Sequence, residues 1–199
     1  MTSIQVGYIL RSDSKGFVTG SPVSQKDIPD FGSLVSAPLE DTMRSYGLIY
    51  DIRVLDDGLV RQLVTAGNVT QEVIRDNRER RIVPLELSVL SVGYEKQNHI
   101  SHLLPPRPPL SLDLIQLCDD KDLTRFVGSG SFGYFRHILQ AQDIPIADLL
   151  AAHIRQVSSV HPDSTWVENA CHELITLLRD DYPALMSVLR ALGELFPQE

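Results

Sequence analysis

Hydrophobic and polar positions alternate with a period of two through much of the first 117 residues and change to a period near 3.6 from residue 122 onward, so the chain predicts strands first and helices second. The most informative stretch is residues 46–66, YGLIYDIRVLDDGLVRQLVTA. Leu48, Tyr50, Ile52 and Val54 fall on one side of an extended chain and Asp51 and Arg53 on the other, the pattern of a half-buried strand, while Ile49 and Leu55 blur the second side. Asp56-Asp57-Gly58 supplies a turn, because glycine accepts positive φ and aspartate bonds its own backbone. Residues 59–64 are expected to return as the partner strand of a hairpin, in preference to opening a short helix.

Other strands follow from the same period. IQVGYIL at residues 4–10 opens the chain, RSDSKG ends that strand in a turn, and residues 17–19 begin the next. Prolines 22, 29 and 38 punctuate the connection that holds the extended residues 34–36. Residues 83–94, VPLELSVLSVGY, alternate Val83, Leu85, Leu87 and Val89 against Glu86, Ser88 and Leu90, with Glu86 directed away from a barrel interior. LPPRPP at 104–109 is a stiff extended connector, and its PxxP pattern is better read as a rigid crossover than as a ligand for an aromatic groove. Residues 110–117, LSLDLIQL, close the set.

Helices are expected over residues 143–157, with Pro145 at the start, over 163–178 and over 183–196, each with one apolar face. The expected architecture is therefore α+β: a small antiparallel β-barrel over residues 1–117 followed by an α-helical bundle over 118–199 that needs itself or the barrel to bury its faces.

An apolar content of 43% with 22% charged residues is enough for a real core and argues against disorder. The net charge of −8 is uneven: residues 1–117 carry 12 Lys/Arg against 14 Asp/Glu, and residues 118–199 carry 6 against 12. That step in charge coincides with the change of period and marks the expected boundary. The overall acidity argues against a nucleic-acid surface. With no apolar run long enough to span a bilayer and no leader-like amino terminus, the cytoplasm is the expected compartment. Cys118 and Cys171 are too few and too far apart for a disulfide framework or a zinc site and read as free, mostly buried thiols.

Candidate chemistry is sparse. Thr70 caps an expected helix whose Arg75, Arg78, Arg80 and Arg81 form the densest positive cluster, an interaction candidate better read as a solvated face than as a phosphate site. Gly128, Gly130 and Gly133 form a literal G-x-G-x-x-G in FVGSGSFGYF, with Arg125 and Arg136 nearby. The strand, acidic residue and lysine that accompany nucleotide-binding glycine loops are missing, so a flexible link between helices is favoured over a phosphate cradle. His99 and His102 sit three apart in a polar loop and read as surface rather than as metal ligands. Asp56-Asp57, Asp119-Asp120 and Asp180-Asp181 read as turn or helix-end carboxylates. No catalytic triad, metal motif or cofactor is indicated.

The stretches VGYIL, SAPLED before YGLIYDI, DDGLVRQLV, ELSVLSVGY and PRPPLSLDLIQL together resemble the HAS-barrel family, the small β-barrel shared by HerA-type DNA-translocating ATPases and rotary ATP synthases. The resemblance covers residues 1–117. It implies an assembly element that packs beside its neighbours on a ring of motors and docks partner proteins, while the chemistry lies in a following P-loop domain. Here the second part is too short for that motor and lacks its lysine, so ATPase activity is not implied. The expected role is a non-enzymatic assembly or adaptor protein that self-associates or binds a protein partner, a P-loop ATPase among them. Its rivals are a nucleotide-binding regulatory protein using residues 128–133 and an accessory factor of a DNA-processing ATPase using Arg75 to Arg81.

Overall fold

The computed structural model describes residues 4–21, 29–54, 58, 61–62, 65, 69–72, 75 and 85–195. Seven strands are described: β1 (Ile4–Ser12), β2 (Gly16–Ser21), β3 (Leu34–Glu40), β4 (Met43–Val54), β5 (Leu85–Lys96), β6 (His99–Ser101) and β7 (Leu114–Leu117). Their order is β2-β1-β7-β3-β4-β5-β6, every pair is antiparallel, and an added pairing of β2 with β5 closes six of them into a barrel. The β1–β2 turn is built by Asp13, whose Oδ1 accepts the backbone N–H groups of Lys15 (2.7 Å) and Gly16 (3.0 Å). Strand β7 is shorter than the 110–117 expected from the sequence, because Leu112 adopts a left-handed φ of 70° and residues 110–113 form a turn before it.

At residues 61 and 62, the described part of the expected return strand, no hairpin pairing with β4 is found. Strand β4 is paired along its full length by β5 on one edge and by β3 over residues 43–48 on the other. Among the described residues of that stretch, Arg61, Gln62 and Thr65 are helical, and the Gln62 N–H donates to the Gly58 carbonyl at 3.1 Å. The blurred alternation in β4 has two causes. Its pairing with β5 shifts register between Ile49 and Asp51, and the strand is buried on both faces: Ile49 joins the barrel interior while Leu48 lies under the helices.

Helices α1 (Asp120–Val127), α2 (Phe135–Leu139), α3 (Ile146–Val160), α4 (Trp166–Leu177) and α5 (Tyr182–Leu195) follow β7. Asp119 caps α1, its Oδ1 accepting the Asp122 N–H at 2.9 Å, and Asp120 and Asp122 place negative charge in the first turn, where the helix dipole favours it. Pro145 immediately precedes α3, and Asp181 Oδ1 accepts the Ala184 N–H at the start of α5. Two apolar clusters result. One fills the barrel with Val6, Ile9, Phe17, Val35, Ile49, Leu87, Val89 and Ile115. The other joins the outer face of β3, β4 and β5, through Leu34, Tyr46, Leu48, Leu90 and Val92, to Phe126, Tyr134, Phe135, Leu149, Ile154 and Trp166 of the helical part. The helices thus bury their apolar faces on one flank of the barrel as well as on each other.

Candidate interaction face and the barrel–helix seam

The seam is locked at one end by Glu95, a buried carboxylate on β5. Its Oε2 accepts from Arg44 Nε and from the Tyr46 hydroxyl, both at 2.7 Å, and its Oε1 accepts from Arg125 Nη2 of α1 at 2.5 Å. Asp122 of α1 completes the cluster by accepting from Arg44 Nη2 at 2.7 Å. Burial pushes the Glu95 pKa up, but the hydrogen bonds from Arg125, Tyr46 and Arg44 outweigh it and hold the carboxyl down at about 2. Burial and the Glu95 bond raise Tyr46 well above the ordinary tyrosine range, so it stays protonated and donates. Burial likewise pushes the nearby Cys118 thiol up to about 12, far from the thiolate needed for reactivity. Two arginines and two carboxylates satisfy one another here, an arrangement suited to clamping α1 to the barrel rather than to binding a substrate charge.

The middle of the seam is aromatic. The ring of His102 lies 4.8 Å from that of Phe126 and 5.0 Å from that of Tyr134, centroid to centroid, and its Nε2–H donates to the Phe126 carbonyl at 3.0 Å. The His102 carbonyl accepts from both Arg136 Nη2 (2.6 Å) and His137 Nε2–H (2.8 Å). A hydrogen bond links Tyr134 Oη to His153 Nε2 at 3.0 Å, with both residues fully buried. Burial lowers the pKa of His102 and of His137, and takes that of His153 down to about 4.

This geometry decides where the glycine segment goes. Gly130 has φ +73°, and a Cβ there meets His102 Nδ1 at 3.0 Å; one at Gly133 meets the His102 Cβ at 3.4 Å. Gly130 and Gly133 therefore lie against His102, and the ring of Phe132 lies 5.3 Å from those of Phe135 and Trp166. Gly128 closes α1 by donating its N–H to the Thr124 carbonyl at 3.0 Å. Arg125 and Arg136, the cations nearest the segment in sequence, are engaged with Glu95 and with the His102 carbonyl.

His102 is buried, which corrects its reading as a surface residue; His99 is exposed. The loop around His102 looks polar in sequence, and the aromatic residues that enclose it arrive from positions 126 and 134. Arg75 is exposed on a helical backbone, and Arg78, Arg80 and Arg81 lie outside the described residues. Asp119 and Asp181 are helix caps, and Asp56-Asp57 lies outside the described residues. Among the described residues no group of three or more His, Cys, Asp or Glu side chains is placed to hold a metal ion, and no helix is long and apolar enough to cross a membrane.

On the opposite flank of the barrel no described residue covers the outward apolar side chains. Ile4, Tyr8 and Leu10 on the outer side of β1 are exposed, and the adjoining turn presents Leu110 and Leu112 at 70% and 76% exposure, values that leave these leucines almost wholly in solvent. The turn is stitched to β1: the Leu112 N–H donates to the Ile9 carbonyl (2.8 Å), the Ile9 N–H to the Asp113 carbonyl (3.0 Å), and the Ser12 hydroxyl to the Pro109 carbonyl (2.6 Å). These bonds hold the exposed leucines beside the exposed positions of β1. Sequence reasoning passed over these residues because the apolar alternation of IQVGYIL is the same whether its outer side is covered or not. No family model matches the chain, and no curated protein matches it either.

Proposed function

We propose that this protein is a non-enzymatic assembly or adaptor protein that holds a partner protein on the bare flank of its barrel, with the acidic helical part as a second contact face. The observation that carries the reading is the exposed apolar row of Ile4, Tyr8, Leu10, Leu110 and Leu112. Five large apolar side chains held together on a closed barrel have no edge to protect and no core to fill, and grouped exposure of this kind marks interaction surfaces. The mutual pairing of Arg44, Glu95, Asp122 and Arg125 supports the non-enzymatic part, since each of these charges already has a partner within the fold. The resemblance of residues 1–117 to the HAS-barrel family adds to it and favours a P-loop ATPase as the partner.

The test is an affinity capture from the native host with the wild-type chain and with a Tyr8→Asp/Leu112→Asp variant, alongside light scattering of both. A protein recovered in near-stoichiometric amount by the wild type and lost by the variant is the expected result, or for self-association a change of mass. Equal recovery by both chains overturns the assignment of the face. A thermal-shift titration with ATP and GTP tests the nucleotide rival, in which a ligand at 100 times its dissociation constant adds about 2.7 kcal/mol of stability.

A further inference from the structure

The segment between α1 and α2 contains a single turn of left-handed backbone. Gly130, Ser131 and Phe132 have φ of 73°, 46° and 58°, and the Gly133 N–H closes the turn by donating to the Gly130 carbonyl at 3.0 Å. Only the first of the three is a glycine. At Ser131 and Phe132 the side chain opposes this hand, because Cβ crowds the following carbonyl oxygen. Backbone strained in this way persists only while its surroundings hold it. Two contacts do so: the Phe132 ring lies 5.3 Å from those of Phe135 and Trp166, and Gly130 and Gly133 lie against His102.

His102 is the contact that can change its charge. It is 8% exposed, its Nε2–H is spent on the Phe126 carbonyl, and its Nδ1, the atom nearest Gly130, has no hydrogen-bond partner among the described residues. The groups around it are Arg136 and His137 of α2, which both donate to its carbonyl, and Tyr134, whose hydroxyl is bonded to His153 of α3. On α1, Arg125 is held by Glu95 of β5 and by Asp122. Among the described residues, no carboxylate forms an ion pair with His102, His137 or His153. A proton on Nδ1 therefore creates a buried charge beside Arg136 with no anion to answer it. Burial outweighs the opposing backbone contacts with Phe126 and Gly130, and Arg136 and His137 add to it, so the His102 pKa lies below its ordinary 6.5. Because the folded value is the lower one, the support His102 gives is fully present above pH 6.5 and is lost as pH falls through the folded pKa.

We propose that residues 128–133 form an acid-released latch, in which protonation of His102 frees the left-handed turn and bares the Phe132 ring and the side of Trp166 that it lies against. At the other end of the seam the paired charges of the Glu95 clamp keep α1 on the barrel, so the opening is local. The latch is separate from the exposed row on β1 and does not depend on the adaptor reading.

The experiment is amide hydrogen exchange of the full chain between pH 7 and pH 5, corrected for the intrinsic pH dependence of exchange, with the ring signals of His102 followed in parallel. Exchange at Gly133 and Phe135, whose N–H groups donate to Gly130 and Phe132, should quicken by up to about tenfold per pH unit, the limit for uptake of one proton. Its onset should coincide with titration of the His102 ring, while amides of β4 and β5 hold steady. Acrylamide should quench Trp166, the chain's single tryptophan, more strongly at pH 5 than at pH 7. That difference should survive His161→Gln, which removes the titratable ring 5.6 Å away. His102→Gln should abolish the pH dependence; where that variant does not fold, the match between ring titration and exchange in the wild type decides. Exchange that is unchanged in acid, or slowed because the Gly130 carbonyl captures the new Nδ1–H, would overturn the proposal. So would exchange that quickens equally in β4 and β5, an onset apart from the His102 titration, unchanged quenching of Trp166, or a pH dependence that persists in His102→Gln.

Discussion

Two flanks of one barrel carry apolar side chains outward, and described residues cover only one of them. On β3, β4 and β5 the outward residues Leu34, Tyr46, Leu48, Leu90 and Val92 disappear beneath the helices, whereas on β1 Ile4, Tyr8 and Leu10 remain in solvent. Residue type does not separate the two sets. What separates them is the later chain: Phe126, Tyr134 and Trp166 come back over one flank, and no described residue buries the other. The contrast divides the outward apolar positions into those that serve stability and those left available to a partner.

The difference is sharpest at Phe126. It is fully buried against Tyr46, His102 and Tyr134, with ring centroids 4.8 to 5.2 Å away, so Phe126→Ala should destabilise the fold by about 3 to 5 kcal/mol, measured by urea unfolding. Next comes the clamp. Glu95→Ala leaves Arg44 and Arg125 with only Asp122 between them and should cost about 1 to 3 kcal/mol, the partial exposure of both arginines keeping it below the figure for a fully buried pair. Because the Glu95 pKa is held at about 2 against an ordinary 4.5, its contribution is fully present above pH 4.5 and is lost as pH falls through 2. Glu95→Gln should flatten the stability profile in that window, and an unchanged slope would argue against the clamp.

The buried histidine sharpens the comparison at milder pH. His153 is neutral in the fold, with its pKa at about 4 against an ordinary 6.5, so the unfolded chain binds the extra proton between those values. Stability from this group is present above pH 6.5 and falls as pH drops through 4. His153→Gln should remove that slope in acid-unfolding curves, while substitution of the exposed His99 should leave it untouched. The smallest effect belongs to the bare flank: Tyr8→Ala or Leu112→Ser should change stability by no more than about 0.5 kcal/mol while reducing partner capture. A large loss of stability there would mean that this flank is structural after all.

Much of the architecture was legible. Alternation in VPLELSVLSVGY marked β5, and Pro145 marked the entry to α3, because period and backbone chemistry act locally. The failed hairpin shows the limit. Asp56-Asp57-Gly58 is good turn chemistry, yet Arg61 and Gln62 beyond it are helical and β4 is paired along its full length with a strand that begins at residue 85, and such a choice between distant segments leaves no local trace. His102 was misread for the same reason, since its neighbours are polar in sequence and aromatic in space.

By itself, then, the chain determined which segments are strands and helices in outline and the order in which they come. Those properties depend on periodicity, capping residues and motif spacing, all of which lie within a few turns of chain. Only the tertiary structure decided that the barrel closes through β2 and β5, that Glu95 gathers two arginines, that Gly130 and Gly133 lie against His102, and which flank of the barrel the described residues leave uncovered. Each of these turns on contacts between residues far apart in sequence. Burial is a property of the assembled surface, and identical apolar residues become core or contact face according to what folds over them.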